Sequence, residues 1–202
     1  MKRYITSDWH FSHNNICGKD GFVTTRTHFK DVQEMNNTLI NAINKVVTND
    51  DELYHLGDIC IGLNPSDTFD LLCKLRGQLH LFKGNHDNSR LFKYLNKHNY
   101  TMKNGKPKFV TYEVGTILKQ NKKIYYLTHY PLGLGELRKN MRSICGHIHE
   151  QVASESNVIN VGIDSPELPS SHPFGEPLKM ETAMELVDTK WEKWYETTIN
   201  NM

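Results

Sequence analysis

Short runs of Val, Ile, Leu, Tyr and Phe recur along this chain, and each breaks at once into a cluster containing His, Asp or Asn. Runs of this length, bounded by polar residues, predict strands that each feed a loop carrying reactive side chains. Lys2 to Ser7 leads into Asp8-Trp9-His10, Glu52 to Leu56 into Gly57-Asp58, and Gln78 to Lys83 into Gly84-Asn85-His86-Asp87. Ile124 to Thr128 leads into His129-Tyr130-Pro131, and Arg142 to Cys145 into Gly146-His147-Ile148-His149. Phe109 to Leu118 and Lys123 to Leu127 read as a hairpin turning at Gln120-Asn121-Lys122, and Asn157 to Val161 as a further strand.

Helical periodicity fills the intervals. Val32 to Val47 places apolar residues at 32, 35, 39, 40, 43, 46 and 47, the 3.6-residue period of a helix with one buried face, and Asp31 is its expected N-cap. Ser66 or Asp67 is the expected cap of a second helix running through Leu75 and stopped by Gly77; Ser89 is that of a third through Leu95. Helices alternating with strands, plus a hairpin, predict an α/β fold with a mixed sheet system. With no internal repeat or linker, the 202 residues are expected to form one domain, in which Ser165 to Pro177, rich in Pro, Ser and Gly, is a long surface loop.

Composition narrows the class. Hydrophobic residues at 38% and charged ones at 23% exclude a disordered chain. A formal net charge of +1 excludes a globally basic nucleic-acid binder, so any such surface must be local. The densest basic stretch, Lys97, Lys103, Lys106, Lys108, Lys119, Lys122 and Lys123, reads as a solvated face in preference to a binding surface. Residues 150–202 hold ten acidic and three basic residues, an asymmetry with no sequence-level explanation. Cysteines at 17, 60, 73 and 145 have no CxxC spacing, and no apolar stretch is long enough for a signal peptide or membrane span. A cytoplasmic protein with reduced thiols and no membrane partner is expected.

The 11 histidines matter through their company. A single His past a strand is most simply a hydrogen-bonded surface or core residue, but five loaded strand ends lie where open α/β sheets place their ligands. Asp8 and His10, two apart at a strand end, point the same way by strand alternation, as do His147 and His149 behind Gly146. Asp58 has two oxygens with which to bridge two cations, Asn85 adds a carbonyl oxygen and His129 an imidazole. Two Asp, one Asn and four His thus supply two mixed oxygen and nitrogen sites sharing Asp58, a set that accepts Mn, Fe, Ni, Zn or Mg.

In this order, Asp-x-His, Gly-Asp, Gly-Asn-His-Asp, a lone His and Gly-His-x-His resemble the calcineurin-like metallophosphoesterase superfamily over residues 8 to 149. The opening Thr6 to Ile16 is similar to its short bacterial and phage-encoded members. The resemblance implies a four-layer α-β-β-α sandwich of two mixed sheets and a pair of divalent ions, manganese first among them. Asp8, His10, Asp58 and His149 would hold one ion, and Asp58, Asn85, His129 and His147 the other. His86, left unligated, would face the scissile phosphate to stabilise charge or protonate the leaving oxygen, with Asp87 orienting it and a metal-bound hydroxide attacking.

One departure bears on substrate. Gly57-Asp58 continues into Ile59-Cys60-Ile61-Gly62 in place of the Val-Asp-Arg-Gly stretch of the protein Ser/Thr phosphatases, so their phosphate-gripping arginine is absent. The expectation is hydrolysis of a phosphodiester or small nucleotide-type phosphoester. The rivals are a nuclease acting on polynucleotide, resting on the lysine stretch, and a non-catalytic scaffold, against which the presence of His86 argues. Outside the motifs, His13 and Asn14 could contact substrate from the first loop, and Arg26 could grip a phosphate if Gly18 to Phe29 folds over the site. His28, His55, His80, His98 and His172 are assigned to packing and hydrogen bonding.

Overall fold

Strand β1 (Arg3–Thr6) points Tyr4 and Ile5 to opposite faces, and both are buried, so its sheet must be covered on each side. The computed structural model, which describes residues 1–200 and side chains to residue 198, shows what covers it. Strands β2 (Glu52–His55), β3 (Gln78–Phe82) and β4 (Phe109–Tyr112) line up parallel to β1. A two-strand-residue segment, Leu178–Lys179, pairs antiparallel on the other edge of β1. A second sheet runs β5 (Gly115–Gln120), β6 (Lys123–Thr128), β7 (Met141–Cys145) and β8 (Val158–Asn160), antiparallel at β5–β6 and parallel thereafter. The edge segment Leu178–Lys179 is therefore β9, and the first sheet has the order β4-β3-β2-β1-β9.

Alternation divides the core in two. Tyr4, Leu53, Leu79 and Leu81 face helices α1 (Val32–Val46), α2 (Pro65–Cys73) and α3 (Ser89–Lys97), packing with Met35, Leu39, Ile43, Leu72 and Leu95. Ile5, Tyr54, Leu56 and Phe82 face the other way and meet Tyr125, Leu127, Ile144 and Ile159 of the second sheet. Helix α4 (Met180–Asn200) completes this second core with Ala183, Met184 and Val187. Two mixed sheets face to face with flanking helices are the architecture that the family resemblance implies, within the α/β class that the residue pattern predicts.

Local chemistry sets the boundaries, and in places corrects the sequence reading. The Asp31 carboxylate accepts from Glu34 N and starts α1 as expected. Helix α2 is capped by Asn64 and not by Ser66 or Asp67, because Pro65 takes the first helical position, where its missing N–H leaves no bond unmade. Asn88, one residue before the expected Ser89, caps α3 by accepting from Arg90 N and Leu91 N. The expected strand Phe109 to Leu118 is broken at Glu113-Val114, and its halves join different sheets, one beside β3 and one beside β6. The hairpin turns at Asn121 and Lys122, whose φ angles of 51° and 62° match the twist of the flanking strands. Helix α4 and strand β9 had no sequence counterpart. Among the described residues no helix is long and apolar enough to cross a membrane.

Candidate metal centre

The loops that follow β1, β2 and β3 leave the same end of one parallel sheet, and those after β6 and β7 leave the parallel part of the other. A bridge between Ser7 and Gly162 joins the two sheets at this end. Two groups of side chains able to hold a metal ion result: Asp8, His10 and His149, and Asp58, His129 and His147, with the candidate ligand atoms of each group within 4.8 Å of one another. Asp58 Oδ2 stands 3.4 Å from His10 Nε2 and 3.5 Å from His129 Nε2, so it lies between the groups. Asn85 Oδ1 is 2.8 Å from both His129 Nε2 and His147 Nδ1.

The backbone route to this convergence differs from strand alternation. β1 ends at Thr6, and Asp8, His10, Asp58, His147 and His149 all adopt left-handed φ values of 60°, 48°, 59°, 73° and 45°. Each such residue costs about 1–3 kcal/mol, and strain of this kind persists only where the surroundings over-determine it. Here, Asp8 N donates to Gly57 O, His10 N to Asp58 O and Phe11 N to Ile59 O, each at 3.0 Å, zipping the first loop to the second. Two glycines permit the close approach. A Cβ at Gly146 would run into Ser7 Oγ and Asp8 Oδ2, and one at Gly84 into the Asp58 carboxylate and its backbone N.

The electrostatics fit cations. Burial, with a smaller contribution from the Asp58 charge, pushes Asp8 up to about 7 against the pull of His149 and His147 N–H. Burial, reinforced by Arg26 and the neighbouring imidazoles, drives His10 down to about 2, and both of its ring nitrogens are buried without a hydrogen-bond partner. Orphaned imidazole nitrogens beside two carboxylates that face imidazoles and backbone N–H groups are a donor set suited to divalent ions. His129 donates Nδ1–H to Leu56 O at 2.9 Å, which aims Nε2 at the site. His149 Nδ1 is 3.2 Å from Asp164 Oδ2; burial lowers its pKa, but the Asp164 hydrogen bond and the Asp8 charge outweigh burial and leave it raised.

Three expectations change. The Asp87 carboxylate accepts from Asp58 N, Ile59 N and Gly84 N at 2.8–2.9 Å, so it pins the second and third loops together and does not orient the His86 ring. Arg26 is wholly buried: Nε and Nη2 fork onto Asp164 at 2.9 and 2.5 Å, Nη2 also donates to Asp8 O and Nη1 to Trp9 O. It braces the first loop from beneath and presents no donor to a substrate. The lysine stretch is not one free face, since Lys108 is buried on Leu75 O and Gly77 O, Lys106 pairs with Glu52, and Lys123 with Asp188 and Glu192.

His86 is exposed, with its backbone N–H on Asp58 Oδ1 at 2.9 Å and its ring 5.4 Å from that of His10. His13 is half-buried, its ring 5.4 Å from His10 and 6.4 Å from His86, while Asn14 is exposed. Asp164 escaped the sequence reading although the signal was there: Gly162-Ile163-Asp164 is a sixth loaded loop just past a strand. Of the histidines assigned to packing, His55 stacks on Trp9 at 3.8 Å and His80 bonds Tyr112 and Gln78.

The profile of the calcineurin-like phosphoesterase superfamily domain matches residues 1–173. An uncharacterised protein of Methanocaldococcus jannaschii is 39% identical over 90 residues, 43% of this chain and 47% of its own. The chain thus matches about half the length of that curated relative. A solved protein of unknown function from Aquifex aeolicus shares the fold, with a TM-score of 0.57 at 24% identity over 81% of this chain and 90% of its own. The phosphoesterase Yfce from E. coli superposes more loosely, at a TM-score of 0.41 and 19% identity over 86% of this chain and 85% of its own.

Proposed function

The chain belongs to the calcineurin-like phosphoesterase superfamily, and from that premise we propose that it is a dinuclear, metal-dependent phosphoesterase acting on a phosphodiester or small nucleotide-type ester. The observation that carries this reading is the Asp58 Oδ2 atom, within 3.5 Å of imidazole nitrogens from both ligand groups. A carboxylate oxygen so placed, with its partner oxygen fixed by His86 N–H, meets the requirement for a shared ligand. Asp8, His10 and His149 would complete one position, and Asn85, His129 and His147 the other. Divalent ions there supply Lewis acidity to the phosphoryl oxygens and lower the pKa of a water.

The chain's own residues do the rest. The zipped first and second loops and the Asp87 clamp hold the donors in place before substrate arrives, so little reorganisation accompanies the reaction. His86, exposed and outside both ligand groups, is the proton donor to the leaving oxygen in this reading, which its exposure supports. Commitment of Arg26 to Asp164 removes the guanidinium that the sequence offered for gripping a phosphate, and without such a fork a doubly charged monoester is held less well, which supports the diester reading. The engagement of Lys106, Lys108 and Lys123 weakens the polynucleotide alternative.

Equilibrium dialysis with elemental analysis is expected to find two Mn²⁺ per chain. Chelation should abolish hydrolysis of bis(4-nitrophenyl) phosphate and added Mn²⁺ restore it, and Asp58→Ala should empty both positions together. One ion or none at saturation, with activity indifferent to chelator, would overturn the proposal.

A further inference from the structure

Phe22 and Tyr130, at 60% and 50% exposure, are two of the three Phe, Tyr and Trp side chains that are largely exposed among the described residues, and each has a histidine of the site region as a neighbour. The Phe22 ring lies 5.5 Å from His13, whose ring neighbours His10 and His86. The Tyr130 ring lies 4.6 Å from His147 and 5.1 Å from His129. Tyr130 thus flanks the second ligand group, and Phe22 is linked through the His13 ring to His10 of the first and to His86. Next to Tyr130 in the chain, Pro131 and Leu132 line a cavity of about 280 Å³ together with Ile148 and Ala153.

Neither ring sits on an unanchored loop. Phe22 N donates to Asn15 O, and three residues on, Thr25 is tied to Glu150 and Asp164. Thr128 Oγ1 donates to Tyr130 O at 2.7 Å. Holding an aromatic face in water gains nothing for folding, because its apolar surface stays hydrated. A flat ring held beside a phosphate site does offer a stacking surface to any planar group attached to that phosphate.

We propose that Phe22 and Tyr130 select a diester carrying a planar group on each side of phosphorus, a nucleoside-type ester. The leaving group stacks on Phe22, within reach of His86; the retained group stacks on Tyr130 at the mouth of the cavity. A monoester has one substituent and leaves one ring unused. In the reaction, a water oxygen bonds to phosphorus as the bond to the leaving oxygen breaks. The leaving oxygen takes a proton from His86 and departs as an alcohol, the retained group stays as a phosphomonoester, and the proton released by the water restores the imidazole. The inference rests on the diesterase reading above.

The test compares thymidine 5′-(4-nitrophenyl) phosphate with methyl 4-nitrophenyl phosphate on Mn²⁺-loaded protein. The two share a leaving group and differ in the retained one. Wild-type protein is expected to favour the thymidine ester in kcat/KM, and Tyr130→Ala to shrink that preference about five- to tenfold, with Tyr130→Phe retaining it. Phe22→Ala should lower both esters alike by a similar factor, and Phe22→Tyr should restore them. Any disturbance of His147 by loss of the Tyr130 ring lowers both esters together, so the ratio registers stacking alone, and the metal content of each variant is measured alongside. An unchanged ratio in Tyr130→Ala overturns the inference while leaving the diesterase reading intact. Failure of wild-type protein with two bound ions to cleave either ester overturns the diesterase reading and the inference with it.

Discussion

The imidazoles of the cluster divide by what holds them. His129 is fixed through Leu56 O, His147 through Asn85 and His149 through Asp164, whereas His86 is gripped through its backbone N–H and its ring is exposed. A metal ligand needs a fixed tautomer and direction, and a proton donor needs access to the leaving atom. His86→Ala is therefore expected to keep its metal while kcat falls by roughly 10²–10⁴, whereas His129→Ala should lose metal. Elemental analysis beside steady-state kinetics decides it; stripped metal in His86→Ala would remove the proton-donor role. At this scale the sequence showed which residue types could ligate, because Asp, Asn and His carry their chemistry wherever they are. It misplaced Asp87 and Arg26, whose partners are backbone N–H groups and a carboxylate 138 residues away.

The repeating element is a strand that ends in a left-handed loop pressed against its neighbour. Its tolerance is set by glycine: a Cβ at Gly84 would collide with the Asp58 backbone N, an atom that also donates to Asp87 and has nowhere to go. Gly84→Ala is expected to cost about 1–3 kcal/mol of stability and to weaken both metal positions through Asp58. Urea denaturation and metal titration check this; full metal binding would show that the loops have slack that the structure lacks. The strands, α1 and the hairpin turn were legible because alternation, periodicity and turn chemistry are local. The break at Glu113-Val114 was not, because a run of β-forming residues does not say which of two sheets each half joins.

Across the whole molecule, the acidic C-terminal segment finds the basic residues of the rest. Asp188 of α4 pairs with Arg142 on β7 at 2.9 Å and Lys123 on β6 at 2.8 Å and accepts from Tyr125 at 2.8 Å, Glu181 pairs with Arg3, and the Arg142 guanidinium lies over Trp191. Arg142 is wholly buried, so Asp188→Asn strands its charge. The expected loss is about 2 kcal/mol or more, below the 3–5 typical of enclosed pairs because the Asp188 side chain keeps 19% exposure. Glu192→Gln, which removes an exposed partner 3.5 Å from Lys123, should change stability by less than about 0.5 kcal/mol. Equal effects of the two in urea denaturation would contradict Asp188 as the pin between helix and sheet.

The sequence by itself determined the class of fold, the order of the donor residues and their position just beyond strands, since these follow from side-chain chemistry and from periods of two and 3.6 residues. It also contained the charge asymmetry of residues 150–202 without its meaning. Which donors face one another was decided by tertiary structure alone. Asp58 meets His10 and His129 across loops that only sheet pairing and the packing of one sheet on the other bring together. The same packing buried Arg26, gave Asp164 its partners Thr25, Arg26 and His149, and set Phe22 and Tyr130 near the cluster. Contacts between residues far apart in the chain leave no local pattern, because the energy that selects them comes from cores formed only when the whole chain has folded.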